Sequence, residues 1–281
     1  MRVRPPAVAG LFYPAEPEAL VRALAGFLSA AVPSARGPGH AMPKAIIAPH
    51  AGYAYSGAIA ARAYARLAGA RGRIGRVVLI GPSHRLAFRG LALDTAQAWQ
   101  SPLGTVALDT GAIAALCGLP QAGSLEAAFD REHALEVHVP FLLHVLGAFR
   151  LLPILTGEAP SEAVAAVLEA AWGGPETLIV VSSDLSHYLP YAACRASDAR
   201  TAAAIERLDG DAIGDDGACG RIALRGLLLA AARRGLAVER LDLRNSGDTA
   251  GPRDQVVGYG AWALVPPVEA DGLRMPAGAS C

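Results

Sequence analysis

The sequence predicts an α/β protein with a layered, mostly parallel central sheet flanked by helices. Three observations lead there. Short runs of β-branched residues and leucine alternate with longer, Ala-rich periodic segments, the order expected of strand–helix–strand units. The strand runs are apolar without alternation, as strands covered on both faces are. Several of these runs lead directly into histidines or carboxylates.

Taken in order, the periodicity predicts a helix over about 16–29, a loop over 37–43 and a strand over 44–49. A helix over 56–67 follows, with Ser56 able to cap it. Strands are expected at 76–82, 149–155 and 177–183, and helices near 109–117, 133–147, 161–172, 194–208 and 218–234. The runs 238–243 and 256–265, joined by a polar Gly-containing turn, read as a late strand pair that adds an antiparallel edge. No repeat or long linker divides the chain, so residues 1–265 are expected to form a single domain. The Pro/Gly-rich tail 266–281 is expected to fray.

Composition narrows the function classes. The 281 residues carry 25 basic and 25 acidic side chains, 53% hydrophobic and 18% charged, which is too apolar for a disordered chain. Without a basic excess, no nucleic-acid partner is expected. No apolar run approaches the roughly 18 residues that a membrane span needs, and prolines interrupt the basic N-terminus, so no membrane association and no signal peptide are expected. Cys117, Cys194, Cys219 and Cys281 lie far apart with no CxxC, which reads as reduced thiols in a cytoplasmic protein. Lys44 is the only lysine.

The polar residues that follow the strands carry the functional signal. The strand at 44–49 leads into His50, that at 76–82 into His84, and that at 177–183 into Asp184 and His187; Asp248 follows 238–243. Ligands of open α/β sheets bind beyond the carboxyl ends of the strands, so these side chains can converge on one crevice. Two histidines and a carboxylate with open positions can hold Fe(II), and with other geometry Zn(II). A further histidine beside the metal can move protons. Each residue also has a local reading: Asp184 can cap a helix, and Asp248 sits in a Ser-Gly-Asp turn.

A second cluster, Glu132-His133-Ala-Leu-Glu136-Val-His138, is not HExxH, since its histidines lie five apart. It reads either as a shell that orients the ligand histidines or as an acidic helix start. Tyr53, Tyr55 and Tyr188 flank the expected crevice, whereas His40 and His144 read as structural. No GxSxG elbow, phosphate loop or GxGxxG after a strand is present, which disfavours dinucleotide hydride transfer and P-loop chemistry.

Six ordered motifs now carry a resemblance: Arg4-Pro-Pro-Ala-Val-Ala-Gly-Leu-Phe-Tyr-Pro, Ala48-Pro-His-Ala-Gly-Tyr-Ala-Tyr-Ser-Gly, Gly81-Pro-Ser-His, Glu132-His-Ala-Leu-Glu-Val-His-Val-Pro-Phe, Ser182-Ser-Asp-Leu-Ser-His-Tyr and Val257-Gly-Tyr-Gly-Ala. Together they resemble the Memo family, whose prokaryotic members are also called AmmeMemoRadiSam system protein B. The family's fold is similar to that of the class III extradiol ring-cleaving dioxygenases. The resemblance implies a metal crevice with His50 and His84 as ligands and His187 as acid/base beside Asp184.

Eukaryotic members are expected to place a cysteine in the segment that here reads 245–251, where this chain has none. Asp248 is then the natural third ligand, with Ser246 and Thr249 beside it, Thr249 matching the cysteine position. A two-His, one-carboxylate site favours Fe(II) over Cu(I), with Zn(II) as the other candidate. Three functions follow from the resemblance. One is a dioxygenase-like iron redox enzyme acting on an unknown small molecule, with Tyr53, Glu132, His133, Glu136 and His138 shaping its pocket. Another is an adaptor working with radical SAM and AMMECR1-like proteins. The last is a zinc hydrolase.

Overall fold

The computed structural model describes residues 2–31 and 41–267. His40, Cys281, residues 268–281 of the expected tail and part of the 37–43 loop lie outside them.

Strands β2 (Ala45–Ala48), β3 (Arg76–Pro82), β8 (Arg150–Thr156) and β9 (Thr177–Ser182) form the parallel centre in the order β8-β3-β9-β2. Their side chains are buried almost throughout, because helices cover both faces; this is why the runs read as continuously apolar. β11 (Gly258–Val265) pairs antiparallel with β2, and β10 (Ala237–Asn245) pairs antiparallel with β11, the edge pair that the sequence predicts.

On the far side lie five short strands that the periodicity does not show: β1 (Val3–Arg4), β4 (Leu91–Leu93), β5 (Ala98–Ser101), β6 (Gly104–Leu108) and β7 (Ala122–Ser124). With five residues or fewer, none carries enough of a pattern to register.

The helices are α1 (Pro17–Ala31), α2 (Tyr53–Ala65), α3 (Thr110–Leu116), α4 (His138–Leu146), α5 (Ser161–Ala170), α6 (Tyr191–Glu206) and α7 (Arg221–Arg233). α1 and α2 pack together with α4, α5 packs on α7, and α6 lies against β10 and β11. α2 starts three residues before the expected cap: Ser56 lies inside it, its hydroxyl donating to the Ala51 carbonyl. α4 starts five residues late, because Glu132 takes the backbone N–H groups of His133 and Ala134 and holds the preceding segment in turns.

Lys44 donates to the carbonyls of Trp172, Gly174 and Thr177, tying the entry of β2 to the entry of β9. Along the edge strand β10, Glu239 pairs with Arg66, Arg240 with Glu206, and Asp242 with Arg244.

The topology sets the site. β2 lies beside β9 with Ala48 opposite Ser182, and β3 lies on the other side of β9, so the loops after β3, β9 and β2 emerge side by side. The first carries His84, the second Asp184 and His187, the third His50.

Candidate metal centre

Three imidazoles meet at this end of the sheet. His50, His84 and His133 each offer a ligand atom within 4.8 Å of the others. The ring centroids of His84 and His133 are 4.6 Å apart and stacked; those of His50 lie 5.1 and 5.5 Å from His84 and His133. Phe12 covers His133 from the outside, its ring centroid 4.7 Å away.

Two of the three imidazoles are held from behind. His50 is buried; its backbone N–H donates to Asp184 Oδ1 at 2.8 Å, and its Nδ1 lies 2.6 Å from Ser182 Oγ. His84 hangs from Glu132: its backbone N–H donates to Oε2 at 2.5 Å and its Nδ1 to Oε1 at 3.0 Å. In a neutral ring that assignment leaves His84 Nε2 without a proton. His133 Nδ1 lies 3.3 Å from the same Oε1 but makes no hydrogen bond, a buried nitrogen without a partner among the described residues.

Protonation follows from burial. Burial, reinforced by the neighbouring imidazoles, pushes His50 well below the usual histidine range. Burial also lowers His133 to about 4 against the opposing pull of Glu132. Burial works against the charge of Glu132 as well, yet the hydrogen bond from His84 and nearby N–H groups keep its carboxyl below the ordinary value. Two imidazoles kept neutral by burial, a third on a carboxylate and an orphaned ring nitrogen together fit a bound cation; imidazole suits zinc, copper and iron. The group can hold a metal ion.

Asp248 does not join this group. One oxygen accepts from the Tyr191 hydroxyl at 2.5 Å and the other from the Asn245 N–H at 3.1 Å, closing a local capping box. Ser246 and Thr249 serve the same turn: Ser246 Oγ accepts from Val257 N and Thr249 Oγ1 donates to the Ser246 carbonyl. The third nitrogen comes instead from His133, expected only in the supporting shell.

Of the other expected residues, Asp184 caps no helix; burial raises its carboxyl to about 6 while it accepts the His50 N–H. His187 is exposed, and its Nδ1 donates to the Leu185 carbonyl at 2.8 Å, leaving Nε2 free toward a groove of about 800 Å³. Tyr53 is buried, its hydroxyl on the Val137 carbonyl and its ring against Phe141. Glu136 accepts from the N–H groups of Ala7 and Val8 and from the Tyr13 hydroxyl, pinning the N-terminal segment.

Cys219 is the residue that sequence reasoning missed. Its Sγ lies 3.3 Å from His50 Nε2, across 169 positions of sequence, so no local spacing could reveal the pair. The one hint is the Cys219-Gly220 step at the start of α7. A Cβ on Gly220 would lie 2.6 Å from the Ser182 carbonyl and 2.7 Å from Ser183 Cβ, so only glycine lets this loop approach β9. Burial raises the Cys219 thiol well above its ordinary value.

His138 is buried too, its imidazole lowered to about 3 by burial. The unfolded chain therefore binds a proton that the folded one refuses between about pH 6.5 and 3, and stability falls as pH falls through that window. In metal-free protein, acid titration followed by urea melts should show His138→Gln reducing the pH slope by about 1.4 kcal/mol per pH unit below pH 6. An unchanged slope would show that His138 takes up its proton in the folded state.

A parallel-sheet α/β protein with a tris-imidazole cluster beyond its strand ends is thus the class defined by fold and site. The profile described as Memo-like protein matches residues 4–263. A MEMO1 family protein of Aquifex aeolicus is 35% identical, covering 92% of this chain and 98% of its own length. One from Pyrobaculum arsenaticum is 34% identical with the same coverage, and one from Methanothermobacter thermautotrophicus 33%. The chain belongs to the Memo-like family.

Proposed function

We propose that the protein is a metal-dependent redox enzyme that holds Fe(II) on His50, His84 and His133 and acts on a small substrate entering beside Cys219. The observation that carries this reading is the mutual approach of the three ligand atoms to within 4.8 Å. A bound iron supplies one-electron chemistry and open positions for a small ligand.

The chain's own part can be assigned atom by atom. Glu132 holds the Nδ1 proton of His84, and Asp184 fixes the His50 backbone. His187 Nε2, bare because Nδ1 is committed to Leu185, accepts or returns a proton in the groove that Cys219, Arg200 and Arg221 also line. The Cys219 sulfur lies 3.3 Å from His50 Nε2 but outside the group of three ligand atoms, so it borders the substrate's path rather than adding to the ligand set.

Three nitrogens without a carboxylate also favour a second reading, Zn(II) activating water for hydrolysis. A third reading, an adaptor for radical SAM and AMMECR1-like partners, draws on the exposed Leu11, Tyr55, Leu86 and Tyr188, which flank the site segments.

Protein purified without oxygen should retain near-stoichiometric iron that His50→Ala loses with an intact fold, and should consume O₂ with catechol-like compounds. Stoichiometric zinc and no uptake of iron under anaerobic loading would overturn the redox reading in favour of hydrolysis. Binding of neither metal, with co-purification of a radical SAM protein, would leave the adaptor.

A further inference from the structure

Behind His50 runs a buried chain of polar side chains that the proposed chemistry does not use. His50 Nδ1 lies 2.6 Å from Ser182 Oγ, Ser182 Oγ lies 2.9 Å from His138 Nε2, and His138 Nδ1 lies 2.8 Å from the Tyr64 hydroxyl. Ser182 Oγ also lies 2.6 Å from the Ala134 carbonyl. All four side chains are buried. We infer that Tyr64, His138 and Ser182 form a positioning relay that locks His50 with its proton on Nδ1 and its Nε2 lone pair bare toward the site.

The hydrogens can be placed one at a time. A phenol has a single proton, and His138 Nδ1 is the acceptor the Tyr64 hydroxyl has among the described residues. Its donation leaves Nδ1 without a proton, so the neutral His138 ring carries its proton on Nε2 and donates it to Ser182 Oγ. The Ser182 proton must then point elsewhere. The Ala134 carbonyl can only accept, and it takes that proton. Ser182 retains one lone pair, and the remaining neighbour, His50 Nδ1, must donate to it.

The opposite arrangement, with Ser182 donating to His50, would orphan the buried Ala134 carbonyl. It would also put a proton on His50 Nε2, the nitrogen that faces Cys219.

Every member of this chain is neutral, unlike the carboxylate that holds His84. The position of Ser182 is itself built in: a Cβ on Gly81 would fall 2.9 Å from Ser182 Cβ and 3.0 Å from Leu135 Cδ2, so glycine in the neighbouring strand makes room for it. The usual partner of a ligating imidazole is a carboxylate, a carbonyl or water; here a hydroxyl whose direction is set two residues away does that work.

The lock itself concerns the metal-free chain; its consequence for ion binding rests on the metal-centre reading above. Nitrogen-15 NMR of histidine-labelled, metal-free protein, with His50 assigned by the signals missing from His50→Ala, should show a protonated Nδ1 and a bare Nε2 at His50. Ser182→Ala should convert His50 to the Nε2–H form or a mixture. Affinity for Co(II), used as the probe ion, should then weaken about 10- to 100-fold with the fold retained. His138→Gln keeps an N–H directed at Ser182 and should preserve both readouts, whereas His138→Phe should lose both.

An unchanged His50 tautomer and Co(II) affinity within twofold in Ser182→Ala would overturn the relay. A wild-type protein that shows the Nδ1–H form but binds no Co(II) would instead overturn the metal-centre reading and leave the lock standing.

Discussion

His133→Ala should abolish metal loading that Asp248→Ala retains. Removing His133 takes one of three nitrogens that lie within 4.8 Å of one another, and metal affinity should fall by on the order of 100-fold or more, beyond the 10- to 100-fold typical of losing a supporting contact. Asp248 spends its oxygens on Tyr191 and Asn245, so its loss should loosen the turn before β11 and leave metal content unchanged. Elemental analysis of both variants after identical loading decides the matter. Metal lost from Asp248→Ala and kept by His133→Ala would restore the carboxylate as ligand.

Glu132→Ala should be the most damaging single change outside the ligands. Its side chain is 2% exposed and receives the N–H groups of His84, His133 and Ala134 together with His84 Nδ1. Its removal leaves those donors facing a void and frees two of the three imidazoles at once. A loss of about 3 kcal/mol in unfolding free energy is expected for so many stranded buried donors, with a further 10- to 100-fold loss of metal affinity. Glu132→Gln keeps one acceptor and should fall between. Urea melts with and without Co(II) separate the two effects, and a metal-free stability within 0.5 kcal/mol of wild type, the ordinary range of surface changes, would refute the structural half.

The fold was legible wherever burial is two-sided. β3, β8 and β9 are apolar end to end because both faces are covered, and that leaves a mark in the sequence that no alternation blurs. β4, β5 and β7 left no such mark: three or four residues drawn into the sheet by their neighbours cannot show a period.

The site was half legible. His50 and His84 follow parallel strands directly, so the rule for strand ends finds them. His133 comes from a turn segment reached through Glu132, and Cys219 from the start of α7, so neither is announced by a preceding strand. Asp248 obeyed the strand-end rule and still went elsewhere, because a short Asn-Ser-Gly-Asp turn can satisfy its own carboxylate.

The charges along β10 have a further effect. An outermost strand nine residues long offers a row of free N–H and C=O groups on which a foreign strand could grow. Here the edge carries Glu239, Arg240, Asp242 and Arg244 in ion pairs, a run of charge that disfavours an incoming β-segment. The sheet therefore guards itself against fibril-like stacking, and the protein should stay dispersed at concentrations where a bare apolar rim would nucleate aggregates.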